Sequence, residues 1–326
     1  MCTAAATFAA DFGAPPTVAH RAVRELSVVT EIFMNLRFEP VPVYFMHIPK
    51  TAGTTVKTWM KRYYRASQRV DIVRPTSEKI RQAQRPSKSY VYSAHFGRPL
   101  FNLIGRSDLA VLTVLRDPIE RAVSEFYHYQ RRQAQQLAAG ELQPATQKLL
   151  DGPIDAYVAD PAFSYIFSNR QTRCLSGMNM SAAMDQFLKE NSINQPSEAS
   201  FSIAARWLQQ IPIIGITEEY ERTTELISTQ LGIPLEGSRS RQLANRGRAP
   251  GQTYRERLSP ATLEMLETLN REDTELYQLG RELFREQYAL LQSQRRRSYS
   301  IAAYGRLAVR TWKDRFARRP TQATSR

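Results

Sequence analysis

Cysteine is scarce: Cys2 and Cys174 are the only two in 326 residues. No disulfide framework is implied, and a reducing compartment is the default expectation. Runs of eighteen or more apolar residues are also missing, which argues against a membrane-spanning helix. The N-terminus, MCTAAATFAADFGAPP, lacks the basic start and strong apolar segment of a secretory signal. No His/Cys/Asp cluster has the spacing of metal ligands, so no metal is expected. The Walker A pattern G-x-x-x-x-G-K-[ST] is absent, and so is any internal repeat.

Acidic residues are outnumbered, 31 against 45 Lys and Arg, for a net charge of +14. The imbalance is local. From Arg295 to Arg326 there are ten Lys or Arg against Asp314 alone, which places +9 in the tail. A pI near 10 therefore describes the tail more than the core, and nucleic acid is not the expected partner. With 42% hydrophobic residues the chain can bury one sizeable core or two small ones.

Patterning predicts alternating strands and helices. Val43 to Met46 reads as a short buried strand, and Thr54 to Arg65 as a helix with Val56, Trp59, Met60 and Tyr63 on one face. Residues 67–89 are polar and read as a connecting excursion with one short helix. Tyr90 to Tyr92 and Ile211 to Ile216 are strand candidates. Leu109 to Leu115, LAVLTVL, is the clearest strand: a continuous apolar run suits a parallel sheet buried on both faces. Asp117-Pro118 starts a helix expected to reach Ala138, with Asp as N-cap and Pro at the first helical position. Residues 139–200 read as mostly helical with breaks. Glu218 to Leu231 reads as a helix that Gly232 ends. Residues 236–253 form a polar, basic loop, and helices follow over Pro260 to Asn270 and Arg271 to Leu291. The fold class predicted is α/β, with a parallel sheet and ligands at the C-terminal ends of its strands.

One such strand end carries the most informative stretch, FMHIPKTAGTT. A strand, a small-residue loop and a helix N-terminus make an anion site: amides from Ala52 to Val56 and the helix dipole favour negative charge. Small side chains let a phosphate approach the backbone, Thr51, Thr54 and Thr55 add hydroxyls, and Lys50 adds a positive charge. The second informative stretch is LTVLRDPIERAVSEFYHY. Arg116 leaves a strand end, and Ser124 lies about two helical turns on. Together they can grip a second phosphate, by a guanidinium fork and a hydroxyl.

HIPKTAGTT resembles the 5′-phosphosulfate motif of sulfotransferases that use PAPS (3′-phosphoadenosine 5′-phosphosulfate). LRDPIERAVSEFYH resembles their 3′-phosphate motif, R-D-P-x-x-R-x-x-S. The likeness is to carbohydrate sulfotransferases of the heparan sulfate 2-O and 6-O type and their bacterial relatives. Weaker likeness in SNRQTRCLSG, IIGITEEYERTTELI and NREDTELYQLGRELF extends it over about residues 42–291. The resemblance implies a P-loop-like three-layer domain over 42–291, between an extension over 1–41 and a basic tail over 292–326. It implies that Lys50 contacts the bridging oxygen and the 5′-phosphate, that Thr51, Ala52, Gly53, Thr54 and Thr55 cradle that phosphate, and that Arg116 and Ser124 hold the 3′-phosphate. PAPS would be the co-substrate and leave as PAP (adenosine 3′,5′-bisphosphate). The acceptor would be a hydroxyl, of a saccharide or glycolipid. Eukaryotic members usually carry an N-terminal membrane span, so the expectation here is a bacterial-type, cytoplasmic member.

In-line transfer to a hydroxyl benefits from a base near neutral pKa, for which His is the natural choice. His95, in VYSAHFGRPLF, follows a strand and resembles the family's catalytic His. His47 competes from beside the phosphate loop. His128 reads as a helix-surface or packed residue, and His20 lies outside the matched region. Asn169, Gln171 and Arg173 are candidates for lining the acceptor or nucleotide site. Arg246 and Arg248, in LANRGRAP, are candidates for a loop that closes over the nucleotide. In the tail, Ile301, Tyr304, Leu307, Ala308, Trp312 and Phe316 recur near helical spacing between Arg and Lys. That pattern suits an anionic membrane surface, although a helix packed on the domain or a solvated tail is the plainer expectation. Two rival readings stand beside the sulfotransferase: a variant nucleotide kinase or NTPase, and a polyanion-binding protein acting through the tail.

Overall fold

Five strands pair in the order β2-β3-β1-β4-β5, all parallel. They are β1 (Val43–His47), β2 (Arg69–Ile72), β3 (Tyr90–Ala94), β4 (Ala110–Leu115) and β5 (Ile213–Ile216). The computed structural model describes residues 40–141, 150–177, 186–187, 189–190, 201–237 and 253–317, without the side chains of Ser164 and 296–317. Expectations for residues 1–39, for Arg246 and Arg248, and for the tail's side chains lie outside what is described.

The central strand explains itself by its composition. Val43, Tyr44, Phe45 and Met46 are all fully buried, as a strand covered on both faces requires. Alternate residues point to opposite faces. Tyr44 and Met46 join Val91, Val111, Leu115, Ile214 and Ile216 in one apolar cluster. Val43 and Phe45 join Tyr90, Tyr92, Leu112, Val114 and Ile213 in another. Helices α1 (Gly53–Met60) and α7 (Tyr220–Leu231) supply Val56, Trp59, Met60, Ile227 and Leu231 to the second cluster. Helices α2 (Ser77–Gln84), α3 (Gly97–Ile104), α6 (Phe201–Leu208) and α9 (Arg271–Ala317) supply the first. The result is an α/β domain of three layers, with a parallel sheet between helices. Helices α4 (Pro118–Ala138), α5 (Arg170–Ser176) and α8 (Pro260–Leu269) complete the longer described helices.

Several expectations need adjustment. Residues 67–89 hold a strand as well as a helix. β2 was hidden because Arg69 and Asp71 face outward on a four-residue edge strand, leaving only Val70 and Ile72 as apolar signal. α1 stops at Met60, not Arg65. Past it, Arg62 and Tyr63 bond back to Trp59 and Met60, and the Tyr63 and Tyr64 hydroxyls reach the carbonyls of Glu236 and Val41. α3 was not anticipated; its Gly97 has φ +53, and a Cβ there would lie 2.3 Å from the Cys174 carbonyl oxygen. The final helix does not end at Leu291 but continues to Ala317, so residues 292–317 prolong a domain helix. The start of α4 is as expected: Asp117 accepts from the amides of Ile119 and Glu120, with Pro118 in the first turn.

Candidate active site

Three neighbouring strands, β3, β1 and β4, end on the same edge of the sheet, and each ends in a residue singled out above. β3 leads to His95, β1 to Lys50 and β4 to Arg116. The backbone departs from the strands abruptly. Lys50, Ala52 and His95 have φ of 66°, 62° and 66°, left-handed values that cost a non-glycine residue about 1–2 kcal/mol each. Strain of this kind persists only where the surroundings hold it. The His95 amide is held by the carbonyl of His47, at 3.1 Å.

A cleft of about 400 Å³ opens at these strand ends. Its walls include His47, Lys50, Ala52, Gly53, Thr54, His95, Arg116 and Ser124. Thus the structure brings together residues from 47 to 124 on one surface. Thr51 and Thr55 do not line it. Thr51 is fully buried, and its hydroxyl donates to the Ile48 carbonyl at 2.9 Å, so it braces the loop from behind. The Thr55 and Val56 amides both turn inward to the Ala52 carbonyl. The amides left for an anion are those ahead of them, at the start of α1, where no intrahelical partner exists. Gly53 is required by contact: a Cβ there would lie 1.8 Å from the His47 ring.

Arg116 ties the two motifs together. One guanidinium N–H donates to the Lys50 carbonyl at 3.1 Å, another reaches Glu120 at 3.5 Å, and Glu218 lies 4.0 Å away. Glu120 also accepts from the Tyr254 amide at 2.5 Å, so the carboxylate that Arg116 reaches is tied to Tyr254 as well. Ser124, on α4, is buried at the cleft wall.

Four further wall residues come from the same helix: Glu125, His128, Tyr129 and Arg132. Their spacing from Ser124 is helical, which is the signal that could have found them. His128 was expected on the helix surface or in packing; it lines the cleft. Glu125 is the sole acid among the described wall residues; it is buried and paired with Arg121. Asn169, Gln171 and Arg173 stand off the wall. Asn169 accepts from the Asp273 amide, Gln171 holds the backbone of Arg116, and Arg173 donates to the Tyr165 carbonyl.

Burial sets the charge states. Desolvation pulls the Lys50 ammonium down to about 8, opposed by Glu125 and assisted by Arg131 and Arg116. His95 is pushed down to about 4, first by desolvation and then by Arg170, with Glu125 opposing. His47 is held well below its usual value by burial, then by His95, Lys57 and Lys50. It bonds the Tyr92 hydroxyl through Nδ1 at 2.7 Å, and its ring lies 4.9 Å from that of His95. At neutral pH both imidazoles are therefore uncharged, beside an ammonium and a guanidinium. Neutral bases and cations at one strand-end cleft suit group transfer from an anionic donor.

Residues 38–280 match the model of the Sulfotransferase family. The chain belongs to that family. It is similar to heparan-sulfate 6-O-sulfotransferase 2 of Danio rerio, with 25% identity over 203 residues, covering 57% of this chain and 40% of that protein. The chain thus spans less than half the length of this relative. Membership implies PAPS as co-substrate and accounts for the five-stranded parallel sheet flanked by helices. No helix among the described residues is long and apolar enough to cross a membrane.

Proposed function

We propose that this sulfotransferase-family chain transfers the sulfuryl group of PAPS to a hydroxyl of a carbohydrate or glycolipid acceptor. The observation that carries the reading is the convergence of Lys50, Arg116 with Ser124, and His95 on one cleft from three adjacent strand ends. The residues fit the nucleotide's two anionic ends. The start of α1, with Gly53 free of a Cβ, Thr54 and Lys50, suits the 5′-phosphosulfate. Arg116 and Ser124, on the neighbouring strand and helix, suit the 3′-phosphate.

In the reaction, the acceptor oxygen bonds to sulfur as the bond from sulfur to the bridging oxygen breaks. The electron pair of that bond stays with the departing PAP, where Lys50 and the α1 N-terminus stabilise the growing charge. The acceptor's proton passes to an imidazole nitrogen of His95. With a pKa near 4 in the free protein, His95 is deprotonated but weakly basic. An anionic nucleotide offsets the cations around it and raises that basicity. His47 shapes the loop through Gly53 and keeps its own proton arrangement through Tyr92.

The saccharide acceptor draws support from the heparan-sulfate activity in the name of the Danio rerio relative and from nothing finer. The test is release of PAP from PAPS against a panel of neutral and acidic oligosaccharides and glycolipids. Acceptor-dependent release, lost in Lys50→Ala, supports the reading. Release with no acceptor that stimulates it, and none altered by Lys50→Ala, would overturn it.

A further inference from the structure

Arg116 lies one residue beyond the last pair of the β4–β5 ladder, Leu115 with Ile216. A backbone at that place needs partners for its N–H and C=O, because unpaired buried polar groups are costly. The side chain of Gln171 supplies both. Its Oε1 accepts from the Arg116 amide at 3.0 Å, and its Nε2 donates to the Arg116 carbonyl at 2.9 Å. Gln171 is fully buried and does not line the cleft.

Gln171 is itself held. It stands in the first turn of α5, whose leading amides are capped from another helix. Asp273, in the first turn of α9, accepts from the Gln171 amide at 2.9 Å and from the Thr172 amide at 2.7 Å. The clasp is mutual, since Asn169 accepts from the Asp273 amide at 3.1 Å. Asp273 is fully buried, so both of these capping bonds lie out of solvent.

We infer that Gln171 is a positioning residue for the nucleotide: its amide sets the backbone of Arg116, and Asp273 sets Gln171. This rests on the reading of Arg116 as a 3′-phosphate ligand. The chemistry needs glutamine at 171. Glutamate accepts but cannot donate to the Arg116 carbonyl, asparagine is one carbon short, and alanine removes both contacts. Arg116 keeps its charge in every case; what is lost is its fixed direction.

The experiment compares affinity for PAP with affinity for adenosine 5′-phosphate, the same nucleotide without its 3′-phosphate. The ratio isolates the 3′-phosphate contribution. Gln171→Ala is expected to weaken PAP by about tenfold, roughly the worth of one hydrogen bond to a charged group, while adenosine 5′-phosphate binding holds. Gln171→Glu, which keeps the acceptor, falls between Gln171→Ala and the parent. An unchanged ratio in folded Gln171→Ala overturns the inference, because a merely structural glutamine lowers thermal stability without touching that ratio. Should Gln171→Ala not fold, the same ratio is read in Gln171→Glu. A parent protein that does not distinguish the two nucleotides would sink the 3′-phosphate reading instead. Hydrogen exchange at the Arg116 amide then decides on the clasp alone: faster exchange in Gln171→Ala upholds it, and unchanged exchange contradicts it.

Discussion

The two sides of the cleft hold their charges by opposite means. On the β1 side the fixed parts are backbone: a left-handed Lys50 and Ala52, a bare Gly53, and helix amides that stop bonding inward only ahead of Thr55. The one cation there, Lys50, sits on a flexible stem and is partly desolvated. On the β4 side the fixed part is a side chain. Arg116 is buried, its backbone is clasped by Gln171, and its guanidinium is shared among Lys50, Glu120 and Glu218. On the proposed reading, the loop at the reacting bond carries a cation on a long stem, and the site for the 3′-phosphate carries a clasped one.

That contrast predicts a split between turnover and binding. The largest effect belongs to Lys50→Ala, with turnover down on the order of 10³-fold and PAP binding weakened far less. Equal losses in both would mean that Lys50 only binds. Next comes His95→Ala, with turnover down roughly 10²–10⁴-fold and PAP affinity kept. Steady turnover in that variant would move the base to His47 or His128. Arg116→Ala should cost PAP about 2 kcal/mol and spare ADP; an equal loss for ADP would remove the 3′-phosphate from its role. Gly53→Ala is smaller and reads as stability. Alanine favours helices by about 1 kcal/mol, but the His47 ring stands in the way, so a net loss of about 1–3 kcal/mol is expected in denaturant unfolding. A gain in stability would show that His47 moves aside freely.

The pH profile sharpens the same comparison most gently. With His95 as the proposed base, kcat/KM should fall as pH drops through its value near 4. With protonated Lys50 as the proposed charge stabiliser, kcat/KM should fall as pH rises through about 8. Lys50→Arg should remove the alkaline limb and leave the acid one. An alkaline limb that survives would assign it to another group.

The β1 side was largely legible in the sequence, because backbone sites leave local signatures. Strand, proline, lysine and small residues stand in unbroken order from Val43 to Thr55. Yet Thr51 and Thr55 do not line the wall: the Thr51 hydroxyl turns to the Ile48 carbonyl and the Thr55 amide to the Ala52 carbonyl, directions that depend on the local backbone. The β4 side was legible only in its first part. Arg116 and Ser124 lie on one strand and helix. Gln171 was singled out as a lining residue, but its contact with Arg116, and Asp273's hold on Gln171, come from other helices, and no local pattern carries such distance. Glu125, Tyr129 and Arg132 were missed because which face of α4 meets the cleft is settled by its packing on Leu150, Ile154 and Phe167. β2 escaped because a short edge strand buries only every second residue.

The measurement that bears most directly on the account is calorimetric titration of the purified protein with PAP, ADP and ATP, in the parent and in Arg116→Ala. The account predicts PAP bound well ahead of ADP and ATP, with that preference lost in Arg116→Ala. Equal or tighter ATP binding, or a preference for PAP that survives without Arg116, would contradict it.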